Sequence, residues 1–259
     1  MAESVVQSST TSGTSAEKPH ASKKRSKAKK RDLYDRLFAE LARVAEMSAI
    51  ERRLREFGFR AIAGTDEVGR GCLAGPVVAA CVILECEPML FGVNDSKMLD
   101  GIDRVTVCRH IVSCARAIGV GVVEPHAIDE INILRASKLA MADAVQNLPV
   151  RPDVLLLDAV MIESLEMPQI PLIEGDKRSV SIAAASVVAK VYRDLLMESY
   201  HDRYPVYDFR HNRGYATESH QAALKVYGPS PIHRKSFEGV EESMLLFGRD
   251  GDDGCGQTR

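Results

Sequence analysis

Gly64-Thr65-Asp66-Glu67-Val68-Gly69-Arg70-Gly71-Cys72-Leu73-Ala74-Gly75-Pro76 sets two adjacent acids and a glycine-arginine-glycine turn between two apolar runs, Phe59 to Ala63 and Val77 to Leu84. Both runs have the length and β-branched content of strands, so the acids are expected where one strand ends. Neighbouring side chains on a regular strand point to opposite faces. Asp66 and Glu67 therefore serve one site only if the strand bends there or a ligand is reached from both sides, and Gly64, Gly69 and Gly71 allow a bend. Exposed glycine backbone also lets a phosphate or sugar approach closely, and Arg70 adds a cation. Such a stretch suits metal ions and a polyanion, although a lone acid pair in a glycine-rich loop is more often a plain polar turn.

Outward from this stretch the composition is that of a globular protein: 259 residues, 45% hydrophobic and 27% charged. No apolar run reaches the roughly 20 residues of a membrane helix, and the polar N-terminus does not read as a secretory signal peptide. The six cysteines show no C-x-x-C spacing, which points to a reducing compartment and hence the cytoplasm. No H-E-x-x-H pair or Cys/His cluster marks a zinc site. The net charge of −2 hides an asymmetry: residues 1–31 hold eight Lys/Arg against two Glu, a net of +6, leaving −8 on the rest. The bulk charge of the core thus attracts no nucleic acid, and any polyanion must meet a local basic surface or bound cations.

Residues 1–31, ending in the basic run Lys23 to Arg31, are expected to be disordered, as are the Gly/Asp-rich residues 248–259, with one domain over 32–247. Leu33, Leu37, Leu41, Val44, Met47, Ile50 and Leu54 recur at helical spacing from Asp32 to Phe57. Beyond the two strands come a polar loop at Val93 to Lys97, an amphipathic helix from Ile102 to Ala115, a strand from Ile118 to Val123 and a long helix from Ala127 to Asn147. Asp153 to Asp158 reads as a strand buried on both faces. Its terminal acid lies where ligands gather in open α/β sheets. Gln169 to Ile173 is a further short strand. Ser179 opens a helix on which Ser186, Lys190 and Asp194 share a face, though Lys190 and Asp194 also suit a simple i,i+4 ion pair. A loop with Gly214-Tyr215 and helices at Thr217 to Tyr227 and Val240 to Phe247 follow.

Asp66, Glu67, Asp158 and Asp194 would together form an all-oxygen set. Held close, four carboxylates repel and raise one another's pKa unless cations neutralise them, and such ligands select hard ions, Mg²⁺ or Mn²⁺. Two such ions about 4 Å apart activate a water in line with a phosphodiester and stabilise the leaving oxygen, so no side-chain nucleophile is needed.

These residues resemble the bacterial ribonuclease HII family. The similarity covers about Asp32 to Phe247 through Gly64 to Gly71, Asp95-Ser96-Lys97, Leu157-Asp158, Ser181 to Asp194, Gly214-Tyr215 and His233 to Phe237. The resemblance implies a ribonuclease H-like α/β fold, a mixed five-stranded sheet flanked by helices with a small helical C-terminal segment. It implies hydrolysis of the RNA strand in RNA/DNA hybrids and incision at single ribonucleotides in duplex DNA, by a monomer. By motif match Asp66, Glu67, Asp158 and Asp194 are the metal-binding catalytic acids, Gly69, Arg70 and Gly71 read the 2′-hydroxyl, Tyr215 packs on the adjoining deoxyribose, and Lys97 joins the substrate contacts. Cys72 stands where proline is commoner, Ala216 where glycine is usual, and Asp158-Ala159-Val160 replaces a commoner ending. A Holliday-junction resolvase of the same fold would not need the glycine-arginine-glycine turn with a tyrosine. A catalytically silent nucleic-acid binder would leave its acids free to vary, yet all four are present.

Overall fold

The computed structural model describes residues 20–85 and 104–248; the Asp95-Ser96-Lys97 motif, with the expected substrate contact Lys97, lies outside them. The chain divides into two compact units, one ending at Ala42 and one running from Arg43. The first consists, as described, of most of helix α1 (His20–Met47). The basic run expected to be disordered is therefore helical from His20 onward. Ala, Lys and Arg have high intrinsic helix propensity, so a segment too polar to bury a core still forms a helix. The sequence pattern for one helix from Asp32 to Phe57 resolves into α1 and α2 (Ala49–Glu56), parted at Ser48.

In the second unit a five-stranded sheet has the order β3-β2-β1-β4-β5. The strands are β1 (Ile62–Val68), β2 (Val77–Leu84), β3 (Ala115–Val123), β4 (Val154–Asp158) and β5 (Gln169–Leu172). The first three pair antiparallel, and β1-β4 and β4-β5 pair parallel, so the sheet is mixed as expected. β2 is aliphatic and buried throughout because both of its faces are covered.

Ala79, Cys81, Leu155 and Leu157 turn one way, against α4 (Pro125–Ile131) and α5 (Ile133–Gln146). Val78, Ala80 and Val82 turn the other, against α3 (Arg104–Cys114) and α7 (Val180–Arg203). The single helix expected over Ala127 to Asn147 is broken at Asn132. This residue adopts φ 68° and accepts hydrogen bonds from the N–H groups of Leu134 and Arg135, two things asparagine does more readily than most residues. Ser179 caps α7 by accepting from Ile182 N–H. Its hydroxyl donates in turn to the buried Glu51 of α2 at 2.6 Å, and Ser181 N–H donates to the same carboxylate oxygen.

α6 (Gly175–Arg178) lies in the link from β5 to α7. After α7 a smaller apolar cluster gathers Leu73, Ala74, Met197, Tyr207, Phe209, Leu224 and Val240 around the short α8 (Phe209–Asn212), α9 (Glu218–Tyr227) and α10 (Val240–Gly248). Among the described residues no helix is long and apolar enough to cross a membrane.

Candidate active site

β1 does not stop before the acids. Its pairing with β2 runs without a shift through Asp66↔Ala80 and Glu67↔Ala79. The expected bend is absent, and the two acids leave the strand on opposite faces. The cross-strand hydrogen bonds hold this part of the backbone straight despite its neighbouring glycines. Asp66, on the α7 face, is hydrogen-bonded by Ser186 and accepts the N–H of Glu67 at 2.8 Å. Glu67, its side chain almost buried, pairs with the half-exposed Arg70 at 3.3 Å.

Asp158 ends β4. Since Thr65 pairs with Leu157 in the parallel register, Asp158 falls beside Asp66 at the carboxyl ends of adjoining strands. It accepts Gly175 N–H at 2.7 Å. Ala159 follows with φ 60°, a left-handed conformation that glycine adopts without strain.

Burial first, then the charges of Glu67 and Asp158, push the Asp66 carboxyl up to about 7, against the lowering effect of its hydrogen bonds from Ser186 and Glu67 N–H. Burial also raises Glu67, opposed mainly by Arg70. Three carboxylates thus share one neighbourhood in which the protein supplies less positive charge than they need.

Asp194, on α7, already has cationic partners. Its carboxylate takes Lys190 Nζ at 2.7 Å and Arg104 at 3.7 Å, so the ion pair permitted by the i,i+4 spacing is formed. Among the described residues no three His, Cys, Asp or Glu side chains are close enough to hold a metal ion together. The four acids expected as one ligand set are therefore not gathered into one: Asp66, Glu67 and Asp158 act on one another through charge, and Asp194 lies about two helical turns past Ser186 on α7. Asp66, Glu67 and Asp158 offer only oxygen donors, the chemistry a hard divalent cation selects, although they are not drawn together around one point, and burial holds Asp66 back from ionising.

Tyr215 comes to the glycine-arginine-glycine turn through an antiparallel bridge with Cys72, whose thiol meets its hydroxyl. Lys190 Nζ lies 5.7 Å, and Arg193 Cζ 5.9 Å, from the centre of its ring. Tyr215 is 40% exposed, so part of the side chain is open to a ligand.

Two fully buried arginines hold the turn from beneath, and sequence reasoning gave neither a role. Arg234 donates to the carbonyls of Gly69, Arg70 and Gly75, and Arg193 to those of Ala74, Pro76 and Arg213. With the carbonyls engaged from below, the N–H groups of Arg70 and Gly71 donate to no backbone acceptor among the described residues. Arg234 lies within the His233 to Phe237 motif, which was the available signal. Arg193 had only its place on a small-residue helix. Ser186 and the buried pair His220 and His233 had no assigned function either.

A mixed sheet with acids at the ends of its parallel strands and a helix-borne acid nearby defines a nuclease of the ribonuclease H-like class. The ribonuclease HII family model matches residues 63–240. Ribonuclease HII of Listeria monocytogenes is 48% identical over 80% of this chain and 79% of its own. That of Lactobacillus gasseri is 55% identical over 70% and 72%. The ribonuclease H2 structure from Pyrococcus horikoshii superposes with a TM-score of 0.60 at 25% identity, covering 73% of this chain and all of the other. The chain belongs to the ribonuclease HII family. It is a ribonuclease H, a phosphodiester hydrolase that cleaves the RNA strand of RNA/DNA hybrids.

Proposed function

We propose that this enzyme, besides cutting long hybrids, incises duplex DNA on the 5′ side of a single embedded ribonucleotide, leaving 3′-hydroxyl and 5′-phosphate ends. It acts as a cytoplasmic monomer. The observation that carries the reading is the Cys72↔Tyr215 bridge, which fastens a partly exposed aromatic ring to a turn whose Arg70 and Gly71 N–H groups meet no backbone acceptor among the described residues. A 2′-hydroxyl is donor and acceptor at once, and a site that senses it needs paired polar partners at close range. Gly69, Arg70 and Gly71 offer those partners, while the flat face of Tyr215 suits a deoxyribose and is crowded by an added hydroxyl. The pair favours a ribonucleotide followed by a deoxyribonucleotide.

Asp66, Glu67 and Asp158 would hold the divalent metal, Mg²⁺ or Mn²⁺, with Asp194 turning from Lys190 toward a second ion when substrate is present. Two such ions supply Lewis acidity to the phosphodiester and a water of lowered pKa. Ser186 fixes the Asp66 rotamer, Gly175 N–H fixes Asp158, and Arg70 is exposed enough to meet a phosphate. Because the cut falls on the 5′ side of the ribonucleotide, its 2′-hydroxyl adjoins the 3′-phosphate and not the scissile one, so the hydroxyl serves recognition and water is the nucleophile.

The test is cleavage of a DNA duplex carrying one ribonucleotide, with the cut mapped and both ends analysed. A cut on the 5′ side with a 3′-hydroxyl is expected. A 2′,3′-cyclic phosphate, or no cleavage of this duplex by an enzyme that cuts long hybrids, would overturn the reading.

A further inference from the structure

Beneath Tyr215 lies a chain of hydrogen bonds through two buried histidines. His220, on α9, sets Nδ1 at 2.8 Å from the Tyr215 carbonyl oxygen and Nε2 at 2.9 Å from Nε2 of His233. His233 Nδ1 lies 2.9 Å from Ser230 N and 2.8 Å from the Ser230 hydroxyl. The two rings are 0% and 1% exposed.

The direction of every bond follows from groups that have no choice. A backbone N–H only donates, so His233 Nδ1 is bare and accepts. A carbonyl only accepts, so His220 Nδ1 carries hydrogen and donates. A neutral His220 then has a bare Nε2, and the proton between the rings belongs to His233 Nε2. Only this pair of tautomers satisfies all three links. A second proton on either ring removes an acceptor and breaks one of them.

The surroundings favour the neutral pair. Tyr207 meets the His233 ring at 4.8 Å and Phe209 meets the His220 ring at 5.4 Å, both edge-on, and the Tyr207 hydroxyl is committed to Gly228 O. Burial is the main effect lowering both histidines, His233 to about 3 with His220 also opposing its charge. The backbone ties the same histidine to the substrate-reading turn: His233 bridges Ala74, Gly75 N–H donates to Ile232 O, and Arg234 N–H donates to Leu73 O.

We infer that His220 and His233 are positioning residues for ribonucleotide recognition: their one-way hydrogen-bond chain fixes the Tyr215 carbonyl, and with it the ring, against the Gly69-Arg70-Gly71 turn. The Tyr215 carbonyl also accepts Thr217 N–H, so His220 supplies the second bond that sets the peptide plane. The inference rests on the assignment of Tyr215 to sugar recognition.

The test uses full-length protein, two substrates and one spectrum. The substrates are a duplex with one ribonucleotide and a long hybrid. Tyr215→Ala is the control for the assignment of Tyr215: if it affects both substrates equally, that assignment fails, and the inference with it. Given a selective Tyr215→Ala, His220→Leu should raise KM for the single-ribonucleotide duplex about tenfold relative to the hybrid, the worth of one buried hydrogen bond. kcat should change little. His220→Asn should restore most of that loss, because its amide N–H stands where Nδ1–H stood. In ¹⁵N spectra of wild-type protein, His220 should be the Nδ1–H tautomer and His233 the Nε2–H tautomer, unchanged between about pH 6 and 8. The opposite tautomers would overturn the inference whether or not His220→Leu folds. So would a folded His220→Leu with wild-type KM on both substrates, or a His220→Asn no better than His220→Leu.

Discussion

Asp66 pairs 8% exposure with a carboxyl raised from 3.8 to about 7, chiefly by burial. A carboxyl whose folded pKa lies above its unfolded value penalises folding once the unfolded chain ionises. The penalty is nil below the unfolded value, grows as pH rises, and is complete above about 7. In chelator, Asp66→Asn should therefore raise the unfolding temperature at about pH 8, by an amount that shrinks steadily toward about pH 4. The same variant should lose cleavage by several orders of magnitude, since an amide is a poor ligand for a hard ion. A melting-temperature difference independent of pH would show that burial of the charge is not what strains this position. Arg234 illustrates the converse case, a buried cation that spreads its donors over three backbone carbonyls. Arg234→Met strands those acceptors, and a loss of roughly 3 kcal/mol or more is expected in denaturant unfolding. Both arginine and acid were visible in the sequence. That Arg234 is 0% exposed, and that it underpins the turn, was not, because nothing local to a charged residue says whether distant carbonyls will surround it.

The element that sets the site is α7 lying on β1. A Cβ at Gly64 would stand 2.2 Å from the Ser181 carbonyl carbon and 2.3 Å from Ile182 N, both backbone atoms of the first turn of α7. Gly64→Ala must push that helix, and with it Ser186 and Asp194, away from Asp66. The expected loss is about 1–3 kcal/mol or more, read by thermal or denaturant unfolding. Gly71 makes the contrasting case. A Cβ there meets nothing within 4 Å, and its φ is not left-handed. Gly71→Ala should melt with the wild type yet cleave the single-ribonucleotide duplex poorly, because its added methyl occupies space the sugar needs. Equal melting and equal cleavage would show that the turn is not a contact surface. Periodicity located both α7 and β1 in the sequence. It ended β1 too early, because Asp66 and Glu67 interrupt the apolar pattern whereas pairing with β2 carries the strand through them to Val68.

For the molecule as a whole, charge is uneven: a net of +6 on residues 1–31 against −8 on the remainder. Phosphate contacts by the basic run would release counterions, and log K against log[salt] would steepen with each contact. Removing residues 1–31 should weaken hybrid binding at low salt and flatten that slope, with the cut position unchanged. An unaltered slope in filter-binding or anisotropy titrations would relieve the run of any part in binding.

The sequence by itself supplied five strand-like segments, the helices between them, and motifs in the order of one family, and through that resemblance the expectation of a mixed sheet with the acids, the turn and the tyrosine as its site. These are local or pairwise patterns: apolar alternation, helical spacing, a glycine where backbone must approach backbone. Tertiary structure alone decided how they meet. Asp66 and Glu67 face opposite ways because the β1-β2 register allows no bulge. Asp194 is paired with Lys190 and Arg104, because one helical face carries both Asp194 and its counter-ion and α3 brings a second. Arg193, Arg234 and the His220–His233 pair acquire their work only when segments more than a hundred residues apart, or on opposite sides of a loop, close around them. A side chain's partners are fixed by packing in three dimensions, and one-dimensional spacing carries no record of it.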